Sequence, residues 1–290
     1  MTTAPANLIL KIQCPNRIGI VAAVGTFLAE RGYNISSDDQ FHDSEHDVFF
    51  MRTSFNRGDN PSLSMEEVRD AFSDVASKYE MKWSLRQEDA TRSVIILVSR
   101  FDHCLVDLLY RRRIGELPMS VAAIISNHPM ESFSELDIQN VPFYYLPVNA
   151  ETKQSQEARV RELIDGSGAE LVILARYMQI LSQEFSAHLS GRCINIHHSF
   201  LPGFKGARPY HQAHRRGVKL IGATAHYVTD ALDEGPIIEQ DVERITHGDT
   251  PDSLIRKGRD IERRVLAKAV RYHLEDRVFM HGATTIVFPD

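Results

Sequence analysis

Residues 93–99, Ser-Val-Ile-Ile-Leu-Val-Ser, are a near-continuous run of apolar, mostly β-branched side chains. A strand of this composition has no polar face to offer water, so it belongs in a parallel sheet covered on both sides by helices. The chain beyond it keeps to that plan. Helical spacing at 104–112 and 155–164 alternates with strands at 121–126, 143–146 and 171–174. Strands separated by helices predict βαβ units and an α/β domain with a doubly wound, mostly parallel sheet. Further strands are expected at 192–196 and 220–228, and another begins at Ile237-Ile238. Thr250-Pro251 opens a long helix whose stripe of Leu254, Gly258, Ile261, Val265 and Ala269 reads as core packing. The end, 277–289, reads as a strand or hairpin around His281-Gly282.

The first ninety residues follow another plan. A strand at 8–12 leads through the turn Pro15-Asn16-Arg17-Ile18-Gly19 into a helix with Ile20, Val24, Phe27 and Leu28 on one face, closed by Gly32. Strands at 33–41 and 48–55, a helix at 64–79 with Ser64 and Glu67 spaced as a capping box, and a strand at 81–85 complete the unit. The order β-α-β-β-α-β is the ferredoxin-like α+β arrangement. Residues 87–92 are polar and aperiodic, so domains of 1–88 and 92–290 are expected.

Composition removes several classes of function. The 33 basic and 39 acidic residues give a net charge of −6 with no basic stripe, which argues against nucleic acid as a partner. Cys14, Cys104 and Cys193 stand far apart, suggesting neither disulfides nor a thiolate metal site, and a reducing cytoplasm is expected. The first residues do not read as a signal peptide, and no stretch has the length and apolarity of a membrane span.

The chemistry concentrates in 193–241. In the strand at 192–196, Asn195 shares a face with His197, roughly 6–7 Å away, close enough for an amide and an imidazole to grip one small polar group. Pro202 and Gly203 then break the chain, and the carboxyl ends of such strands are where open α/β sheets hold ligands. A second loop, 229–236, carries Asp233 and Glu234, between which the residues alone do not choose. An amide, an imidazole and a carboxylate from strand ends suit hydrolysis or transfer at a carbonyl. The segment Ser99-Arg100-Phe101-Asp102-His103-Cys104 after the first apolar strand lacks the glycines of a phosphate cradle, so phosphorylated substrates lose support. Ser199 has no Gly-x-Ser-x-Gly surroundings and reads as a loop-capping residue. His211 and His214 are expected on a short surface helix, and His197 and His198 face apart if the strand persists, so no metal site is expected.

Four motifs, Asn195-Ile196-His197, Ser199-Phe200-Leu201-Pro202, the run 222–228 and the run 232–238, resemble in order and spacing the folate-dependent formyltransferase family over 92–290. The first segment resembles an ACT domain. The combination, with His197-His198 and Gly206-Ala207-Arg208-Pro209-Tyr210, resembles the formyltetrahydrofolate deformylases within that family. The resemblance implies hydrolysis of 10-formyltetrahydrofolate by water to formate and tetrahydrofolate, supplying formate and balancing one-carbon pools for purine synthesis. Folate is then the substrate, and no cofactor or metal is expected. It implies catalytic roles for Asn195, His197 and Asp233, and substrate contacts from Arg176, Tyr177, Met178, His198, Gly222 and His226. His198 stands where the transferases commonly carry proline or glycine. An amino-acid effector is implied at the ACT-like turn of Asn16 and Gly19, which as residues alone would equally make a tight turn and start a helix. Association into a homo-oligomer is implied as well. Two other functions stay open: formyl transfer to an amine acceptor, and amino-acid sensing by a binding protein with a silent second domain.

Overall fold

The computed structural model describes residues 7–57, 64–133, 136–138, 140–203 and 209–290. Gly206, Ala207 and Arg208 lie outside the described residues. The chain divides into two compact units, one of residues 1–90 with Glu275–Phe279 and Ile286–Asp290, the other of Thr91–Leu274 with Met280–Thr285. The two short C-terminal segments therefore group with the first unit, whereas the sequence assigns all of 92–290 to the second.

The first unit contains β1 (Leu8–Pro15), α1 (Ile20–Glu30), β2 (Asn34–Asp43), β3 (Val48–Asn56), α2 (Met65–Lys78) and β4 (Lys82–Gln87). Its strands pair antiparallel in the order β2-β3-β1-β4, the ferredoxin-like arrangement expected. The α1 stripe of Ile20, Val24, Phe27 and Leu28 packs with Leu10, Ile12 and Phe72 in one core. The capping box of α2 forms in full, Ser64 Oγ accepting from the Glu67 amide and the Glu67 carboxylate accepting from the Ser64 amide. Each interaction satisfies a donor that a helix start would otherwise leave unpaired. A second cluster, Phe50 with Phe279 and Phe288, accounts for the grouping of the C-terminal segments with this unit.

The second unit opens with β5 (Arg92–Val98), α3 (His103–Arg113), β6 (Met119–Ser126), β7 (Phe143–Tyr145), α4 (Lys153–Ser167) and β8 (Leu171–Leu174). It continues with α5 (Gln183–His188), β9 (Cys193–His197), α6 (Pro209–Arg216), β10 (Leu220–Tyr227), β11 (Ile237–Arg244) and α7 (Pro251–Leu274). The hairpin β12 (Val278–His281) and β13 (Thr284–Val287) ends the chain. Seven strands form one sheet in the order β11-β10-β9-β8-β5-β6-β7. Strands β5 to β9 run parallel, and β10 is antiparallel to both its neighbours. Val94 to Val98 are 0% exposed, and each such side chain stabilises the fold by about 1.5–3 kcal/mol. Helix α5 goes unrecognised in the sequence because its six residues are too few to show a period. It is started by Ser182, whose hydroxyl accepts from the Phe185 amide.

The strand order reverses between β5 and β8: β6 and β7 lie on one side of β5, β8 and β9 on the other. A reversal opens a crevice at the carboxyl ends of the two strands, since the loops that follow them depart in opposite directions.

Candidate active site

The crevice holds a cavity of about 650 Å³. Lining residues come from the loop after β5 (Phe101), the start of α3 (His103), the loop after β8 (Arg176, Tyr177, Met178), β9 and its end (Asn195, His197, His198), β10 (His226), the loop after β10 (Asp233) and α7 (Glu262). Ser99 ties the first two loops together: its amide donates to the Arg176 carbonyl at 3.2 Å, and its hydroxyl accepts from the Met178 amide at 2.9 Å.

Register brings the polar groups together. Asn195 lies opposite His226 in the β9–β10 pairing, so the two side chains share a face, and Asn195 Nδ2 lies 3.3 Å from His226 Nε2. The other ring nitrogen of His226 faces the Tyr227 carbonyl at 2.8 Å, where only N–H can bind. His226 Nε2 is therefore the acceptor in the neutral ring, and it takes the hydrogen of the Asn195 amide. His197, two residues along the strand, has Nδ1 3.2 Å from Asp233 Oδ1, and His226 Nε2 lies 3.8 Å from the same oxygen. Burial alone would raise the Asp233 carboxyl; the hydrogen bond from His197 outweighs it and, with the His226 ring close by, holds the group well below the usual carboxylate range. Asp233 is ionised, and His197 presents a buried Nε2 with no hydrogen-bond partner among the described residues.

Asp233 occupies a left-handed backbone position at φ 57°, which turns its side chain back from the loop toward β9. Glu234 is exposed and does not line the cavity. Of the two carboxylates that the sequence leaves open, Asp233 is the one that lines the cavity.

The other expected site residues divide. Tyr177 and Met178 line the cavity, Tyr177 6% exposed with its hydroxyl accepting from Gln156 Nε2 at 2.8 Å. Arg176 lines it too, but its guanidinium turns inward, Nε 3.3 Å from Glu262 Oε2 and Nη1 against His198 Nδ1. Gly222 does not belong to this cavity. It lines a smaller apolar one, of about 370 Å³, and a Cβ there would come within 2.5 Å of the Asp241 carbonyl oxygen, so the residue is required by strand packing against β11. Ser199 donates to the Gly203 carbonyl at 2.9 Å, in keeping with a loop-bonding role. In the first unit Gly19 stands at φ 96° as the N-cap of α1, its carbonyl accepting from Tyr79 Oη at 3.4 Å, and the Asn16 amide donates to the Asp47 carbonyl.

The strand does not persist to His198: β9 ends at His197, and the two imidazoles do not face apart. Their rings stack with centroids 5.2 Å apart and planes 19° from parallel, and both line the cavity.

Glu262 is the site residue that the sequence reading misses. It is 1% exposed, accepts from Tyr210 Oη at 2.6 Å and faces His103 Nε2 at 2.8 Å. Burial would raise its carboxyl, but His103, Arg176 and Tyr210 lower it below its ordinary value. The signal is present: residues 254, 258 and 262 lie at helical spacing, so a carboxylate sits on the apolar face of α7.

Residues 92–270 match the formyl transferase family and residues 8–72 the ACT domain family. The formyltetrahydrofolate deformylase of Corynebacterium sp. is 48% identical over 96% of this chain and 97% of its own length. That of Bacillus subtilis is 46% identical over 96% and 93%. The crystal structure of the formyltetrahydrofolate deformylase from Burkholderia mallei superposes with a TM-score of 0.91 at 49% identity, covering 98% of this chain and 100% of that one. Matched at both of its units and over nearly its whole length, the chain belongs to the formyltetrahydrofolate deformylase family.

Proposed function

We propose that the second unit hydrolyses 10-formyltetrahydrofolate to formate and tetrahydrofolate with Asn195, His197 and Asp233 as the catalytic group. The observation that carries this reading is the ionised Asp233 held on His197 Nδ1 beside an oriented Asn195 amide. Water adds to the formyl carbon, and the carbonyl electron pair moves to oxygen. The oxyanion that forms is stabilised by donors already in place, the remaining N–H of Asn195 and a protonated His197. Asp233 accepts from His197 Nδ1 and draws a proton from the attacking water. Collapse breaks the carbon–nitrogen bond with its pair going to the folate nitrogen, which takes up a proton; formic acid leaves and ionises to formate. The exposed apolar side chains of Phe101, Met178, Ile180 and Leu232 line the cavity and suit a flat heteroaromatic ring, and exposed Arg259 offers a cation for the carboxylates of the folate tail.

No metal or other cofactor enters these steps. No helix among the described residues is long and apolar enough to cross a membrane; residence in the cytoplasm, association into a homo-oligomer and an amino-acid effector at the turn of Asn16 and Gly19 belong to the same reading. The purified chain is expected to release formate from 10-formyltetrahydrofolate with no amine present and at an unchanged rate in strong chelator. Activity that requires an amine acceptor would favour a transferase, and loss of activity in chelator would return a metal to the mechanism.

A further inference from the structure

The two stacked imidazoles at the end of β9 are held in different ways. His197 has Nδ1 on the Asp233 carboxylate, whereas His198 has Nδ1 against Nη1 of Arg176. A guanidinium carries donors only and keeps its charge, so His198 Nδ1 must be the bare nitrogen and the ring proton must sit on Nε2. Arg176 is itself fixed by Glu262, which is in turn held by Tyr210 and His103. Burial first, and the Arg176 charge second, push the His198 imidazole down to about 4, so the ring is neutral at physiological pH. Its Nε2–H is buried and has no hydrogen-bond partner among the described residues, on a ring that lines the cavity beside His197. A buried donor left unpaired is costly, and such groups are rare away from sites where a reactant supplies the acceptor.

We propose that His198 Nε2–H donates to the oxygen of the attacking water, with Arg176 and Glu262 as positioning residues that fix its tautomer, and that this donor makes the site prefer water to an amine. The inference rests on the hydrolase reading above. Water has two lone pairs, so it can accept from His198 through one and attack the formyl carbon through the other. A neutral amine has a single lone pair, which the attack consumes; in its presence the His198 donor is either unpaired or competing for the nucleophile. In the water reaction the oxygen–carbon bond forms as one water proton passes to Asp233. His198 itself neither gains nor loses a proton.

The test is the partition of formyl groups between water and added methylamine, whose one lone pair is on nitrogen, measured as formate against N-methylformamide in one mixture. Formate release by the unaltered chain without methylamine is read first and tests the hydrolase reading separately. His198→Ala is expected to lower kcat for hydrolysis by about tenfold to a hundredfold with little change in KM, and to raise the N-methylformamide share by about fivefold or more. His198→Gln, whose amide N–H reaches to about where Nε2–H lies, should restore much of kcat and bring the partition back. Because the ratio is taken within one sample, partial unfolding of a variant does not affect it. An unchanged partition in His198→Ala, whatever its rate, overturns the proposal, as does a His198→Gln variant that partitions like His198→Ala.

Discussion

Asp233→Asn is expected to lower kcat for formate release by about 10³-fold while leaving KM within about threefold. The substitution keeps size and shape, and the backbone at φ 57° is one that asparagine tolerates well. What it removes is the charge that His197 Nδ1 faces at 3.2 Å. An amide there can turn its NH2 toward His197, which moves the imidazole proton to Nε2 and leaves neither a base nor a charged donor for the oxyanion. Glu234→Gln, one residue away but exposed and outside the cavity, should stay within about twofold of the parent. Steady-state assays on the pair decide the assignment. Near-parent activity in Asp233→Asn together with inactivity in Glu234→Gln would show that the wrong carboxylate has been assigned.

Gly235→Ala should be nearly as damaging without touching a reacting group. A Cβ at this position would lie 1.8 Å from the Tyr227 carbonyl oxygen and 3.3 Å from His226 Nδ1, so the loop or the strand has to move. That carbonyl is the acceptor that sets the His226 tautomer, and the Tyr227 amide donates to the Pro236 carbonyl at 2.9 Å, clamping the same loop from the other side. A shift of the loop carries Asp233, two residues earlier, away from His197. The expected cost is about 2 kcal/mol or more in stability and about 10²-fold in kcat/KM, read by chemical denaturation and by assay. Parent-like values in both would mean that the loop has more freedom than its contacts indicate.

Most of the fold is legible in the sequence because its elements are long and periodic. The β5 run, the α1 stripe and the α2 capping box each name their structure locally, and each forms. The site is legible where it follows from a strand's period of two, as with Asn195 and His197. It is not legible where it depends on how separate segments meet. The choice of Asp233 over Glu234 is made by one left-handed residue, and the stacking of His198 on His197 by the end of β9 one residue earlier than a continued strand would require. Gly222 lies in a motif of the family, yet it packs against β11 and lines the smaller cavity. Glu262 is hidden by its own stripe, since a carboxylate among core positions acquires meaning only once Arg176, Tyr210 and His103 are seen to converge on it.

In the proposed mechanism the formyl acceptor at the Asn195, His197 and Asp233 group is water. The most direct test is a single turnover of enzyme-bound 10-formyltetrahydrofolate in isotopically labelled water without any amine, with the formate examined by mass. One labelled oxygen in each formate, formed in step with tetrahydrofolate, is the expected result. Formyl groups that stay on the folate until an amine is added, and then appear on that amine with no label, would contradict it.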